Sequence, residues 1–312
     1  MRFALVALAV ALGTNAQAFA PDVSPRPFTR DADSVVTVQS SANAARFQGW
    51  VQGFRARALG QGISARTFDA AFDGARYLPD VIERDRNQAE FVKPIWEYLD
   101  SAVSPKRVRN GKAALRQNRR VLAEIEGRYG VEAEVVVAVW GMESAYGEFR
   151  GDTPVISALA TLAFDGRRAR FFEQQLVAAL RILQSGDISV DRMTGSWAGA
   201  MGHTQFIPTS YEAFAQDFRG DGRRDIWSDD PTDALASTAA YLARSGWQRG
   251  QLLGMEVELP RNFDYGLAGT QNTTAAWRAA GVRGTGGQAI PNYGSARLLL
   301  PAGARGAAFL TF

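Results

Sequence analysis

The sequence predicts a mainly α protein that ends in a small α/β appendage. Three observations carry this. Between Asn43 and about Leu252, apolar residues recur every three to four positions in segments that glycines close. Beyond Leu252 the texture changes to short alternating runs. The 312 residues are 46% hydrophobic and 21% charged, a globular balance that allows one large domain or two modest ones.

Taken in order, residues 1–18 read as a secretory signal peptide. Arg2 supplies one charge, Phe3 to Leu12 is unbroken and apolar, and Ala16, Ala18 and Ala20 are spaced for cleavage. The apolar run is too short to span a bilayer. Residues 19–42 are polar and rich in Pro, Ser, Thr and Asp, which predicts a flexible leader. The helical region then runs over 43–252. Phe47, Trp50, Val51 and Phe54 share a helix face, stopped by Gly60, and Ser64 caps a second helix with Phe68, Ala71 and Phe72. Leu115 to Tyr129 predicts a helix closed by Gly130. Val131 to Trp140 is apolar apart from Glu132 and Glu134, which predicts a largely buried helix. Arg167 to Leu183 is amphipathic and ends at Gly186. Pro208 opens a helix with Tyr211, Phe214 and Phe218, and Asp230-Pro231 opens the last, stopped by Gly246. In the appendage, 253–312, Met255 to Leu259 and Arg297 to Leu300 read as strands and Gly281 to Gly287 as a loop.

Composition excludes several chemistries. With no cysteine there are no disulfides, thiolate zinc sites, iron–sulfur clusters, cysteine nucleophiles or cysteine-linked lipid anchors. His203 is the single histidine, so a His-rich metal site is excluded. Net charge is only +3. One stretch, Lys106 to Arg120, holds Lys106, Arg107, Arg109, Lys112, Arg116, Arg119 and Arg120 and no acid. Its plainest reading is a solvated helix face. No aromatic interleaves it, so no nucleic-acid partner is expected.

Two segments carry chemistry. Trp140-Gly-Met-Glu143-Ser-Ala-Tyr146-Gly147 places a carboxyl at the end of an apolar helix, between two aromatics. Desolvation there keeps the acid protonated near neutral pH, ready to protonate a glycosidic oxygen. The competing reading is a helix-terminal glutamate in solvent. Gly195 to Tyr211 is dominated by small residues that permit close backbone approach, with Ser196 and Gln205 as uncharged hydrogen-bonding groups. Taken alone, it serves equally as a tight interhelical turn.

With these motifs in hand, the chain resembles the soluble lytic murein transglycosylases of the B family, in the lysozyme-like superfamily. Trp140 to Gly147 resembles that family's catalytic-glutamate motif. Ile156 to Phe164 followed by Arg167-Arg168, Gly195 to Tyr211, Asp217 to Trp227 and Asp233 to Tyr241 resemble the blocks that follow, with His203 where some members have tyrosine. The resemblance spans about Phe47 to Phe312 and implies a lysozyme-like catalytic fold. It also implies a further cleft segment with an Arg-Tyr-Asn motif beyond Phe312, so the appendage is expected to be truncated at its C-terminal end.

The resemblance implies roles for single positions. Glu143 falls on the catalytic acid/base, Ser196 and Gln205 on residues contacting sugar N-acetyl groups, and Tyr98, Tyr146 and Tyr241 on cleft aromatics. Arg167 and Arg168 fall on a pair facing glycan and peptide. The implied reaction cleaves the MurNAc-β-1,4-GlcNAc bond of peptidoglycan strands and forms 1,6-anhydromuramic acid. Ordinary glycosidases need two carboxyls, and no second acid sits within the strong motif. Here the muramic acid's own C6 hydroxyl replaces water, so one glutamate suffices and no cofactor is expected. The alternatives are a hydrolytic muramidase with a second carboxylate, and a non-catalytic murein-binding or assembly protein. The reading places a monomer, without a lipid anchor, in the periplasm, with glycan strands and cell-wall machinery as partners. Asp217, Asp221 and Asp225 occupy positions 1, 5 and 9 of an EF-hand-like loop and admit calcium, although Arg219 and Ser228 replace oxygen ligands at positions 3 and 12.

Overall fold

In the computed structural model, residues 32–87 and 95–312 are described. The signal-peptide segment lies outside them. Among the described residues the first half is helical: α1 (Ala32–Gly60), α2 (Ala65–Phe72), α3 (Pro79–Arg86), α4 (Ile95–Ala102), α5 (Pro105–Gln117), α6 (Arg119–Tyr129) and α7 (Ala133–Ser144). A two-residue strand β1 (Thr153–Pro154) precedes α8 (Val155–Asp165) and α9 (Ala169–Ser185). It pairs antiparallel with β2 (Thr194–Gly195). The helices α10 (Pro208–Phe214) and α11 (Thr232–Arg244) complete this part.

Two apolar clusters build the helical body. The larger gathers Phe47 and Phe54 of α1, Phe68 of α2, nearly all of α8, and Phe172, Leu176 and Leu180 of α9, with Tyr211 of α10. The smaller joins Leu122 and Ile125 of α6, Val136, Val137 and Trp140 of α7, and Leu235, Ala236 and Ala239 of α11. Tyr241 touches both. Helix α7 is therefore wedged between α5, α6 and α11, which explains why its sequence is apolar on all sides.

The appendage is a five-stranded antiparallel sheet in the order β4-β6-β7-β3-β5. Its members are β3 (Gly254–Glu258), β4 (Gln271–Thr273), β5 (Arg283–Gly284), β6 (Ser295–Leu299) and β7 (Ala308–Thr311), with α12 (Thr274–Ala279) between β4 and β5. Fully buried Trp277 anchors its separate core, its Nε1 donating to Ala296 O at 2.8 Å.

The structure departs from the sequence expectations at several points. Helix α1 already covers Ala32 to Ala42, the second part of the expected leader, while residues 19–31 lie outside the described residues. The single helix expected over Leu115 to Tyr129 is two. Asn118 leaves helical geometry and its Nδ2 donates to Ala114 O at 2.9 Å, closing α5 where α6 opens. Phe218 lies outside α10, its N–H donated to the Asp233 carboxylate at 2.9 Å. The expected loop over Gly281 to Gly287 includes β5, paired with β3 through Val257 and Glu258. Pro231 is the N-cap of α11 rather than its first residue.

Candidate active site

Glu143 lies in the last turn of α7, half-buried. Burial raises its carboxyl from an ordinary 4.5 to about 7, and no charge among the described residues contributes. Such a group is an acid at neutral pH and becomes a base after losing one proton.

The turn that follows fixes this glutamate. Ala145 and Tyr146 are both left-handed, with φ of 51° and 66°. That conformation costs a residue with a Cβ roughly 1–2 kcal/mol. The N–H groups of Ala145 and Tyr146 return to Gly141 O (3.2 Å) and Trp140 O (3.3 Å), ending the helix. Tyr146 then tucks its ring beneath the helix, and a Cβ on Gly141 or Gly111 would lie 2.5 Å from it. Its hydroxyl donates to Arg107 O at 2.9 Å, while Arg107 Nη1 donates back to Gly141 O. Tyr146 thus supports the turn from below, with its hydroxyl already engaged.

His203 clamps the other side. Indole Nε1–H of Trp140 can only donate, so His203 Nδ1, 3.1 Å away, accepts. The ring proton is then on Nε2, donated to Ser228 O at 2.7 Å. Burial, the largest cause, lowers the imidazole pKa and keeps the ring neutral. Ser144 Oγ donates to His203 O at 2.5 Å and accepts from Gly147 N at 2.8 Å. A Cβ at Gly147, whose φ is +86°, would strike the imidazole at 2.5 Å. In the sequence His203 stands out as the single histidine and as a departure from tyrosine, not as a clamp. Its task depends on a contact 63 residues away in the chain, which spacing does not display.

Gln205 and Ser196 sit on the loop that carries His203. Gln205 is left-handed at φ 51°, and its Nε2 donates to Arg150 O (3.1 Å) and Gly202 O (2.9 Å), strapping this loop to the one after Glu143. Its Oε1 has no hydrogen bond among the described residues. Ser196 Oγ accepts from Ala200 N at 3.0 Å and so shapes its own turn. Among the described residues, the non-glycine positions with positive φ are Ala145, Tyr146 and Gln205, all in this site. Tyr241, half-buried, packs edge-on against Phe206 and Phe214, and Tyr98 is exposed on α4.

Arg167 and Arg168 are joined to α3. Asp85, 2% exposed, accepts from Arg167 Nε (2.9 Å) and from Arg168 Nη2, while Arg167 Nη2 also reaches Asp85 O at 2.7 Å. A buried carboxylate needs such partners, which accounts for two cations at the start of α9.

The Asp217 loop uses its carboxylates to hold its own backbone. Asp217 accepts from the N–H groups of Gly220, Asp221 and Gly222, and Asp225 from those of Trp227 and Ser228. Arg219, at the third ligand position, turns away to Glu124 (2.7 Å). Ser228 stands where a bidentate carboxylate belongs. Among the described residues no group of three or more acidic or histidine side chains is placed to hold a metal. The loop is tied instead to buried Asp233, whose carboxyl burial raises to about 6.

Residues 46–312 match the family model described as the transglycosylase SLT domain. The chain belongs to the lytic murein transglycosylase B family. This transglycosylase is 33% identical over 253 residues to membrane-bound lytic murein transglycosylase B of Escherichia coli K12, covering 76% of this chain and 68% of that protein. It superposes on SltB3 of Pseudomonas aeruginosa, solved with NAG-NAM-pentapeptide, at a TM-score of 0.78. The identity is 53%, with 85% of this chain and 72% of that chain covered. It also superposes on Escherichia coli Slt35, solved with calcium, at 0.70 and 29% identity over 87% and 85% of the two chains. Among the described residues of this transglycosylase, no helix is long and apolar enough to cross a membrane.

Two outcomes follow. His203→Phe leaves the Trp140 indole N–H buried without an acceptor and is expected to lower unfolding free energy in urea by about 1–3 kcal/mol; an unchanged midpoint contradicts the clamp. Because the folded pKa of Glu143 is raised, its contribution is complete below 4.5 and lost as pH rises through about 7. Glu143→Gln escapes that loss. Its stability relative to the parent is expected to improve by about 3 kcal/mol between pH 4 and pH 8, and a difference flat with pH in the same unfolding assay contradicts the burial.

Proposed function

We propose that this enzyme cleaves the MurNAc-β-1,4-GlcNAc bond of peptidoglycan with Glu143 as its single acid/base and leaves 1,6-anhydromuramic acid. One observation carries the reading: burial raises the Glu143 carboxyl to about 7, so a large share of it is protonated at neutral pH, with no charged partner among the described residues. Glu143 first gives its proton to the glycosidic oxygen as the bond to the anomeric carbon breaks. The muramic C6 hydroxyl then attacks that carbon, and its proton returns to the Glu143 carboxylate. Atoms balance without water, so no second carboxylate is required. The cycle needs neither metal nor cofactor.

The unused Oε1 of Gln205, the Ser196 turn, and the aromatic surfaces of Tyr98 and Tyr241 are read as the glycan-contacting wall. Arg167 and Arg168 bound it at the α3 side. A relative with 53% identity was solved with NAG-NAM-pentapeptide, which supports murein as the substrate class. On the leader pattern of residues 1–18 we place the enzyme in the periplasm, where it acts on glycan strands, and we read it as a monomer.

Digestion of purified sacculi followed by mass spectrometry of the soluble muropeptides tests this. Products are expected to be one water lighter than hydrolysed ends, with Glu143→Gln slower by about 10²–10⁴-fold. Reducing ends, or full clearing by Glu143→Gln, overturn the one-glutamate cycle.

A further inference from the structure

We propose that the exposed cationic face of α5 and the start of α6 is a second contact surface for murein, binding the carboxylates of its stem peptides. This rests on the murein reading above. Helix α5 packs against α7 through Arg107, Gly111 and Ala114, the positions that meet Gly141 and Tyr146 or enter the core. Lys106, Arg109, Lys112 and Arg116 lie off that seam and are exposed, as are Arg119 and Arg120.

These exposed cations are nearly unspent among the described residues. Among the described residues, the one ion pair in the group is Arg120 with Glu124 at 3.9 Å, and Glu124 is already held by Arg219 at 2.7 Å. Arg116, Arg119 and Arg120, with Glu124 as the one acid, rim a shallow surface hollow of about 710 Å³. Neither α5 nor α6 has an acid in its first turn, where the helix dipole favours one; Lys106 and Arg107 stand near one start and Arg119 and Arg120 at the other. The seven cations of this stretch exceed the net charge of the whole chain, +3. Repulsion among unpaired like charges costs stability, so an anionic ligand is the economical account of their clustering.

The position selects the ligand. Arg107 reaches the carbonyl of Gly141, two residues before Glu143, so the cationic face flanks the catalytic helix at about one helix diameter, roughly 10 Å. A glycan strand at Glu143 carries its own polyanion, the free carboxylates of its peptides. Retaining those peptides keeps the strand near the acid between cleavages and makes capture steeply dependent on salt.

The test is co-sedimentation of the full chain, carrying Glu143→Gln to prevent digestion, with intact sacculi and with glycan strands freed of peptide by an amidase. Adding Arg109→Glu, Lys112→Glu and Arg116→Glu is expected to weaken binding to intact sacculi at least about ten-fold and to leave stripped glycan unaffected. Raising salt is expected to weaken only the unreversed protein. The same reversals on the active enzyme should not change its turnover of short peptide-free glycan, which also shows that they fold. Equal binding of both proteins to intact sacculi overturns the proposal while the cleavage reading stands. An equal loss on stripped glycan also overturns it. So does charge-dependent binding to phosphatidylglycerol vesicles without a charge effect on sacculi, which assigns the face to lipid. If the unreversed protein neither binds sacculi nor, with Glu143 restored, digests them, both readings fall.

Discussion

A carboxyl must stay dry at the open end of a helix, and most of the site exists to meet that demand. Among the described residues Glu143 has no charged partner to tune it, so its acidity depends on burial, and burial depends on the helix end not fraying. Helix ends ordinarily fray because their last carbonyls lack donors. Here the carbonyls of Trp140 and Gly141 are both satisfied, the latter twice, by Ala145 N–H and by Arg107. An apolar α7 between α5, α6 and α11 supplies the dry surroundings.

The arrangement uses uncommon backbone where it is supported from both sides. Ala145 and Tyr146 hold left-handed conformations because the Tyr146 ring fills the space left by Gly141 and Gly111. Gln205 holds one because its amide straps two loops together. His203 joins these halves, taking the Trp140 proton on one nitrogen and giving its own to Ser228 on the other. Neutral imidazole is required for that pairing, and burial provides it. The hydrophobic clusters, the strained turn and the neutral histidine therefore converge on a single protonated side chain.

Much of this was legible in the residues. The glycines after α6 and α9 adopt the left-handed C-cap geometry their positions predict, and Ser64 caps α2 through Thr67 N–H. The apolar run before Glu143 also foretold its burial. What stayed hidden depends on tertiary partners. Helix α8 is buried on nearly every face, so it shows no amphipathic period. Asn118 breaks a helix through a side-chain bond that propensity does not register. Arg167 and Arg168 answer a buried aspartate more than eighty residues earlier. The EF-hand-like spacing of Asp217, Asp221 and Asp225 is real, yet its carboxylates cap backbone N–H groups and Arg219 leaves for Glu124.

The account stands on the protonation state of one carboxyl, which has no charged partner among the described residues. Labelling the glutamate side chains with carbon-13 and following the Glu143 carboxyl resonance against pH, assigned by its loss in Glu143→Gln, measures that state directly. A midpoint near 7 is predicted. A midpoint near the ordinary 4.5 would contradict the account, because the group would then be ionised at neutral pH and unable to act first as an acid.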